Sequence, residues 1–173
     1  MPFDIIVRTV LEHYTAYPPT TEDAWYGPWT TILVTLFPSI EGYVVTPQHR
    51  VPESHTPDLV LEVVKLSFSP LSFRTVLIVK IRNTQHWESG IVALQRQIAR
   101  QTDAAFAGTA HTKVYWITAI GPHWRYGESG DEGKDPKPLI GWHHTTMIKH
   151  PSKTSRFSLA LSLNYEGHPQ ANA

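Results

Sequence analysis

The chain has 173 residues, of which 41% are hydrophobic and 17% charged, a composition that fits one globular domain with a real core. Fifteen basic residues balance fifteen acidic ones, so nucleic-acid contact has to come from a local patch. The absence of cysteine excludes disulfides, thiolate metal sites and a cysteine nucleophile. No secretory signal or bilayer-spanning run is evident, so we expect a soluble intracellular protein, cytoplasmic or nuclear, with no membrane partner.

The first third of the chain predicts one helix and two strands. Apolar residues at helical spacing predict a helix over residues 3–17, which the following proline pair ends. Residues 20–28 resemble a turn. β-branched and aromatic residues then predict strands over 29–37 and 43–46, joined by a short turn. The three prolines of residues 47–57 predict a loop.

The middle of the chain predicts the centre of a sheet. Residues 59–66 and 75–81 are almost continuously apolar, which is typical of central strands covered on both faces. An apolar stripe from Trp87 to Phe106 predicts a helix, with Gly108 as a stop. Residues 113–120 predict another strand. A strand, helix and strand in this order usually form a parallel crossover, whereas the strands before it are close enough to pair antiparallel.

The remainder predicts a loop and an added strand. Residues 121–138 are rich in glycine, proline and charge, which predicts a mobile loop or lid. Apolar residues alternate over 156–165, which favours an added edge strand, with a short helix as the alternative. The whole pattern predicts one α/β domain over 1–173, a mixed central sheet flanked by helices. Its core covers about 1–120, followed by the loop and a C-terminal arm, 139–173.

Three charged residues are predicted to meet on neighbouring strands. Asp58 begins one strand, and Lys80 and Arg82 end the next. Side chains at i and i+2 of a strand share a face about 7 Å apart, so the three would form one patch near the middle of the sheet. The guanidinium fork of Arg82 beside the compact charge of Lys80 suits an anion such as phosphate.

The order of elements over residues 1–120, with Pro57-Asp58 at the head of one strand, resembles the PD-(D/E)XK superfamily of restriction-endonuclease-like proteins. It also resembles short fungal proteins of this fold. The resemblance implies a restriction-endonuclease-like core in which Asp58 binds Mg²⁺ or Mn²⁺. Lys80 then occupies the position of the second acid, and Arg82 that of the family lysine.

The same resemblance assigns two residues on helices. Glu12 would be the helical acid, and Gln95, or Gln97, the glutamine often found on the following helix. An alternative for Glu12 is a solvated pair with Arg8 one turn earlier.

A metal suits this set of residues poorly. Mg²⁺ prefers oxygen ligands, and Lys80 replaces one with a positive charge. At about 5 Å and an effective dielectric constant of about 20, each unit charge contributes roughly 3 kcal/mol. Asp58 is left as the candidate metal ligand, no cofactor is expected, and Mg²⁺ or Mn²⁺ would be required if the protein is catalytic. A buried ion network of Asp58, Lys80 and Arg82 without function stays open as an alternative.

Four consecutive residues in the predicted loop, His123, Trp124, Arg125 and Tyr126, suggest a recognition surface that binds substrate. Trp124 and Tyr126 would stack on bases or sugars. The alternative is that these aromatic residues cover a sheet edge.

Three hypotheses follow from these patterns. The first is a nuclease-like protein that binds nucleic acid or a phosphorylated ligand with little or no hydrolysis. The second is an active metal-dependent phosphodiesterase or nuclease whose acidic ligands have moved. The third is a structural or protein-interaction module that has lost the site, with a partner or homodimer interface at residues 25–29 or 156–165.

Overall fold

The computed structural model describes residues 5–49, 59–68, 70–83, 87, 90–106, 113–130 and 135–144. The predictions for Pro57, Asp58, Gly108 and residues 156–165 lie outside this set. The described helices are α1 (Ile5–Ala16), α2 (Asp23–Leu36) and α3 (Gly90–Phe106), and the strands are β1 (Tyr43–His49), β2 (Leu59–Phe68), β3 (Leu71–Arg82), β4 (Val114–Ile120), β5 (His123–Ser129), β6 (Lys137–Pro138) and β7 (His143–His144). No helix among these residues is long and apolar enough to cross a membrane.

The described strands form one seven-stranded sheet in the order β1-β2-β3-β4-β5-β6, with β7 also paired to β5. Strands β1, β2 and β3 form an antiparallel meander, β4 lies parallel to β3, and β5 returns antiparallel to β4. The predicted α/β class, with a mixed sheet and helices against it, is therefore confirmed. The strands predicted at 59–66, 75–81 and 113–120 and the helices predicted at 3–17 and after Trp87 are confirmed, with shifted ends.

The helices cover opposite faces of the sheet. On what we call the α1–α2 face, residues of α1 and α2 pack against Leu61, Val79 and Ile117. On the α3 face, residues of α3 pack against Val60, Ile78 and Trp116. Successive strand residues point to opposite faces, and β3 is buried without interruption from residue 77 to 81 because both faces are covered there.

Helix α2 replaces the predicted strand at 29–37 and part of the predicted turn at 20–28, so both predictions are wrong there. Its buried residues recur at helical spacing: Trp25, Pro28, Trp29, Ile32, Leu33 and Leu36. Burial of this face outweighs the strand preference of the β-branched residues and the missing N–H of Pro28. Trp25 and Trp29 are at most 1% exposed and belong to the core, and the interface predicted at 25–29 stays a prediction.

Strand β5 replaces residues 123–129 of the predicted loop at 121–138. A tight turn at Gly121, with φ of 55°, returns the chain from β4 into β5. At Gly127 a β-carbon would lie 2.2 Å from both the Trp116 ring and the Lys137 carbonyl oxygen, so glycine is what allows β5 to fit there. The loop predicted at 47–57 is likewise wrong at its start, since β1 continues to His49.

Candidate anion-binding site

A row of polar side chains crosses the α3 face on three adjacent strands. Lys80 of β3 is the parallel partner of Thr118 in β4, and Thr118 pairs with Arg125 in β5. Neighbouring strands lie about 4.8 Å apart, so the three side chains are lateral neighbours. We call them the Lys80–Arg125 row. They lie near the ends of β3 and β4, just beyond the apolar cluster that α3 covers.

The row is buried although two of its members carry charge. Lys80 is 1% exposed and Arg125 is 8% exposed, and Thr118 between them is fully buried. Lys80 is buried because β3 is a central strand with helices on both faces. Transfer of a charged group out of water costs several kcal/mol unless hydrogen bonds and a counter-charge compensate. The groups next to each cation therefore determine whether the row can bind an anion.

Among the described residues, Arg125 has no carboxylate partner. Its Nε donates a hydrogen bond to Thr118 Oγ1 at 3.3 Å. Its guanidinium carbon lies 4.8 Å from the centre of the Trp142 ring and 5.7 Å from that of Trp116. Burial lowers the pKa of Arg125, yet a guanidinium remains charged near neutral pH. The site thus holds a desolvated cation between aromatic rings.

Three rings, which we call the aromatic rim, lie next to Arg125. Trp87 precedes α3, His123 begins β5 and Trp142 precedes β7. The Trp87 ring lies 5.0 Å from Trp142 in an edge-on arrangement and 4.5 Å from His123. All three are partly exposed, so planar groups can pack against them. The rim therefore adds a stacking surface beside the cation.

Arg82 is held away from the row. Its Nη1 lies 3.0 Å from Glu22 Oε1, and Glu22 is the residue that begins α2 on the other face of the sheet. The two side chains are 22% and 27% exposed. Arg82 is the last residue of β3, where its long side chain can bend around the strand end. Asp58 lies outside the described residues, so its meeting with Lys80 and Arg82 stays a prediction.

The structure does not bring the two predicted helical residues to the row. Glu12 is exposed and pairs with Arg8, with 3.0 Å between Oε1 and Nε, as in the solvated-pair alternative. Helix α1 also packs on the face opposite Lys80. Gln95 is exposed on α3, whereas Gln101 is 5% exposed with its Oε1 lacking a hydrogen-bond partner among the described residues.

The predicted recognition surface is divided between the two faces of β5. Trp124 is 6% exposed and belongs to the core of the α1–α2 face, and Tyr126 packs against that core. Arg125 points to the other face, since neighbouring strand residues alternate. The prediction that these side chains act together from a loop is therefore wrong, since they lie on a strand. Of the four, Arg125 lies in the row and His123 in the aromatic rim.

The Lys80–Arg125 row itself does not fit a divalent cation. It offers two cations and one hydroxyl, whereas Mg²⁺ binds carboxylate, carbonyl and water oxygens. The fully buried carboxylate of Glu62 lies on the same face, opposite Ile78 and two residues along from Lys80, outside the row. Within the described ranges no cluster of three or more histidine, aspartate or glutamate side chains is arranged to hold a metal ion. The assignment of Asp58 as a metal ligand is untested, because that residue is outside those ranges.

Comparison with protein-family models, curated proteins and solved structures gives no match to this chain. The resemblance to the PD-(D/E)XK superfamily therefore rests on Pro57-Asp58 and the order of elements. Sequence reasoning missed Thr118 and Trp142, whereas His123 was predicted as part of the recognition surface. A signal for Thr118 existed, since a lone hydroxyl residue interrupts the apolar run of β4, but its partners depend on the strand register.

Proposed function

We propose that the protein is a nuclease-like binding protein, which binds nucleic acid or another phosphorylated ligand at the Lys80–Arg125 row and hydrolyses it little or not at all. One observation carries the proposal: Arg125 is nine-tenths buried and has no carboxylate partner among the described residues. An anion that supplies the missing negative charge stabilises a buried guanidinium in this state. Phosphate is the anion whose geometry the guanidinium fork matches best.

The second cation strengthens the case for phosphate. Lys80 and Arg125 are two strand spacings apart, about 10 Å between backbones, and both side chains are long enough to reach one group between them. The aromatic rim adjoins this position through Trp142. A phosphate with an attached base would therefore meet both charge and stacking rings.

Weak hydrolysis follows from the same charges. Phosphodiester cleavage by metal-dependent enzymes requires a metal-bound water next to the phosphorus. Two cations and a hydroxyl bind the phosphate oxygens but supply no oxygen ligands for such a metal. We therefore expect binding to be independent of divalent cations.

The test is a binding titration in EDTA with fluorescein-labelled single-stranded DNA and RNA. Arg125→Gln and Lys80→Met should each weaken binding about tenfold or more, because each removes a charge-assisted contact. Arg96→Gln is the matched control, since Arg96 is an exposed arginine on α3. It should change affinity less than about twofold. Equal affinities for all four proteins contradict the proposal.

Incubation of the same oligonucleotides with Mg²⁺ or Mn²⁺ tests the hydrolysis clause. We expect no metal-dependent cleavage above that of a buffer control. Efficient cleavage that Asp58→Ala abolishes contradicts this clause and supports the second hypothesis, an active nuclease with other acidic ligands.

A further inference from the structure

The hairpin of β2 and β3 extends beyond the rest of the sheet. Strand β4 pairs with β3 only from Leu77 onward, and β1 pairs with β2 only as far as Lys65. Near the turn, residues 66–68 and 71–73 therefore pair with each other and with no other described strand, although the Leu66 N–H still donates a hydrogen bond to the Gly42 carbonyl oxygen just before β1. A two-stranded hairpin with no further cover is marginally stable in water. The extension gains stability from any surface that covers it.

One face of this extension is apolar and open. The cross-strand pairs Leu66 with Phe73 and Phe68 with Leu71 point to the α3 face, as does Val44 of β1. Phe68 is 74% exposed, Leu71 and Phe73 are 65% exposed, and Val44 is 46% exposed. Helix α3 packs on β3 and β4 nearer the middle of the sheet and leaves this end uncovered. We call the surface of Val44, Val64, Leu66, Phe68, Leu71 and Phe73 the hairpin face.

The size of the hairpin face is that of an interaction surface. Its exposed side chains present on the order of 400 Å² of apolar area, which reaches the range of the largest patches on monomeric proteins. A standard interface buries about 800 Å² on each partner, so the hairpin face would be its apolar centre. Polar neighbours such as Thr46 and Thr75 supply part of a rim.

Charge and backbone chemistry identify the partner. The hairpin face has no charged residue, and Lys65 lies over the Tyr43 ring on the opposite face of the sheet, 4.0 Å from its centre. A charged partner such as nucleic acid therefore has nothing to bind here. A second copy brings an equally uncharged surface, whose backbone hydrogen bonds are already made within its own hairpin. The net charge of the chain is zero, so two copies do not repel each other.

We propose that the hairpin face is the interface of a homodimer, in which the hairpins of two copies pack face to face across a two-fold axis. The interface lies at the opposite end of β3 from Lys80, about 23 Å from Phe73 to Lys80 along the strand. Dimer formation therefore leaves the Lys80–Arg125 row open. The dimer and anion binding are independent claims.

The chain contains no cysteine, which allows a single reporter thiol to be placed at will. Full-length Phe73→Cys should form covalent dimers with a short bis-maleimide linker. The matched control is Val34→Cys, because Val34 is 51% exposed on α2 and far from the hairpin in sequence. After the same treatment, Val34→Cys should run as a monomer on a denaturing gel. Sedimentation of the unmodified protein should show a dimer that Leu71→Ser with Phe73→Ser weakens at least about tenfold, with oligonucleotide binding unchanged.

Three results overturn the proposal. The first is a monomer in sedimentation from micromolar to near-millimolar concentration, with the Phe73→Cys thiol freely reactive. The second is a monomer whose thiol at this position is protected, which would mean that another segment of the same chain covers the hairpin face. A dimer that the double serine variant leaves intact also overturns it, because the interface then lies elsewhere.

Discussion

Arg125 is the residue on which the chemistry of the site depends. The protein holds this cation nine-tenths buried, between the rings of Trp116 and Trp142, with Thr118 as its neutral hydrogen-bond partner among the described residues. Such an arrangement costs stability in the free protein, and the proposed anion would offset that cost. The sequence alone predicts Lys80 as a site residue. It also predicts Arg125, but as part of a loop surface, whereas the structure places Arg125 in a strand.

The cost of Arg125 can be measured without any ligand. Arg125→Met should raise the free energy of unfolding by about 1 kcal/mol or more, because it removes a desolvated charge and keeps most of the volume. Urea unfolding of the free protein measures this, and Arg96→Met, which changes an exposed arginine of α3, should stay within about 0.5 kcal/mol of the unmodified protein. A loss of several kcal/mol in Arg125→Met would instead make Arg125 a structural residue.

At the scale of elements, the strands and helices with a single clear signal could be predicted. The apolar runs of β2, β3 and β4 and the stripe of α3 left one interpretation each. Helix α2 was missed because its exposed side carries β-branched residues such as Thr31, Val34 and Thr35. These residues obscure the helical spacing of the buried tryptophans. Tertiary burial decided the structure where local preference pointed elsewhere.

Strand β5 was missed for a different reason. Its α3 face carries Arg125, Gly127 and Ser129, so the sequence has the polar and glycine content of a loop. These residues are buried because Arg125 lies in the row and Gly127 admits the Trp116 ring. The lateral contacts of Lys80, Thr118 and Arg125 depend on strand register, which no local pattern specifies. Single residues of the candidate site could therefore be predicted from the sequence, but their contacts with one another could not.

Two exposed valines test the assignment of α2. Val34→Ala should stabilise the protein by about 0.5 kcal/mol, because alanine is favoured over valine in a helix. Val44→Ala, at a similarly exposed position in β1, should destabilise it by at least a similar amount, since valine is favoured in strands and Val44 also belongs to the hairpin face. Urea unfolding measures, for each variant, whether the free energy of unfolding rises or falls relative to the unmodified protein. A destabilised Val34→Ala would argue for the strand that the sequence alone predicted.

At the scale of the whole molecule, the two faces of the sheet differ in kind. The α1–α2 face is a continuous apolar core. The α3 face carries charge and aromatic rings at one end, the packed helix in the middle, and the open hairpin face at the other end. This polarity along β3 separates the proposed ligand site from the proposed dimer interface. We therefore expect that mutation can remove either one without the other.

The most direct test of the account is isothermal titration calorimetry of a short oligonucleotide with and without a 5′-phosphate, against the unmodified protein and Arg125→Met. The account predicts that the unmodified protein binds the phosphorylated form about tenfold more tightly, and that Arg125→Met loses this preference. Binding that is equal for both oligonucleotides and both proteins, or absent throughout, would contradict it.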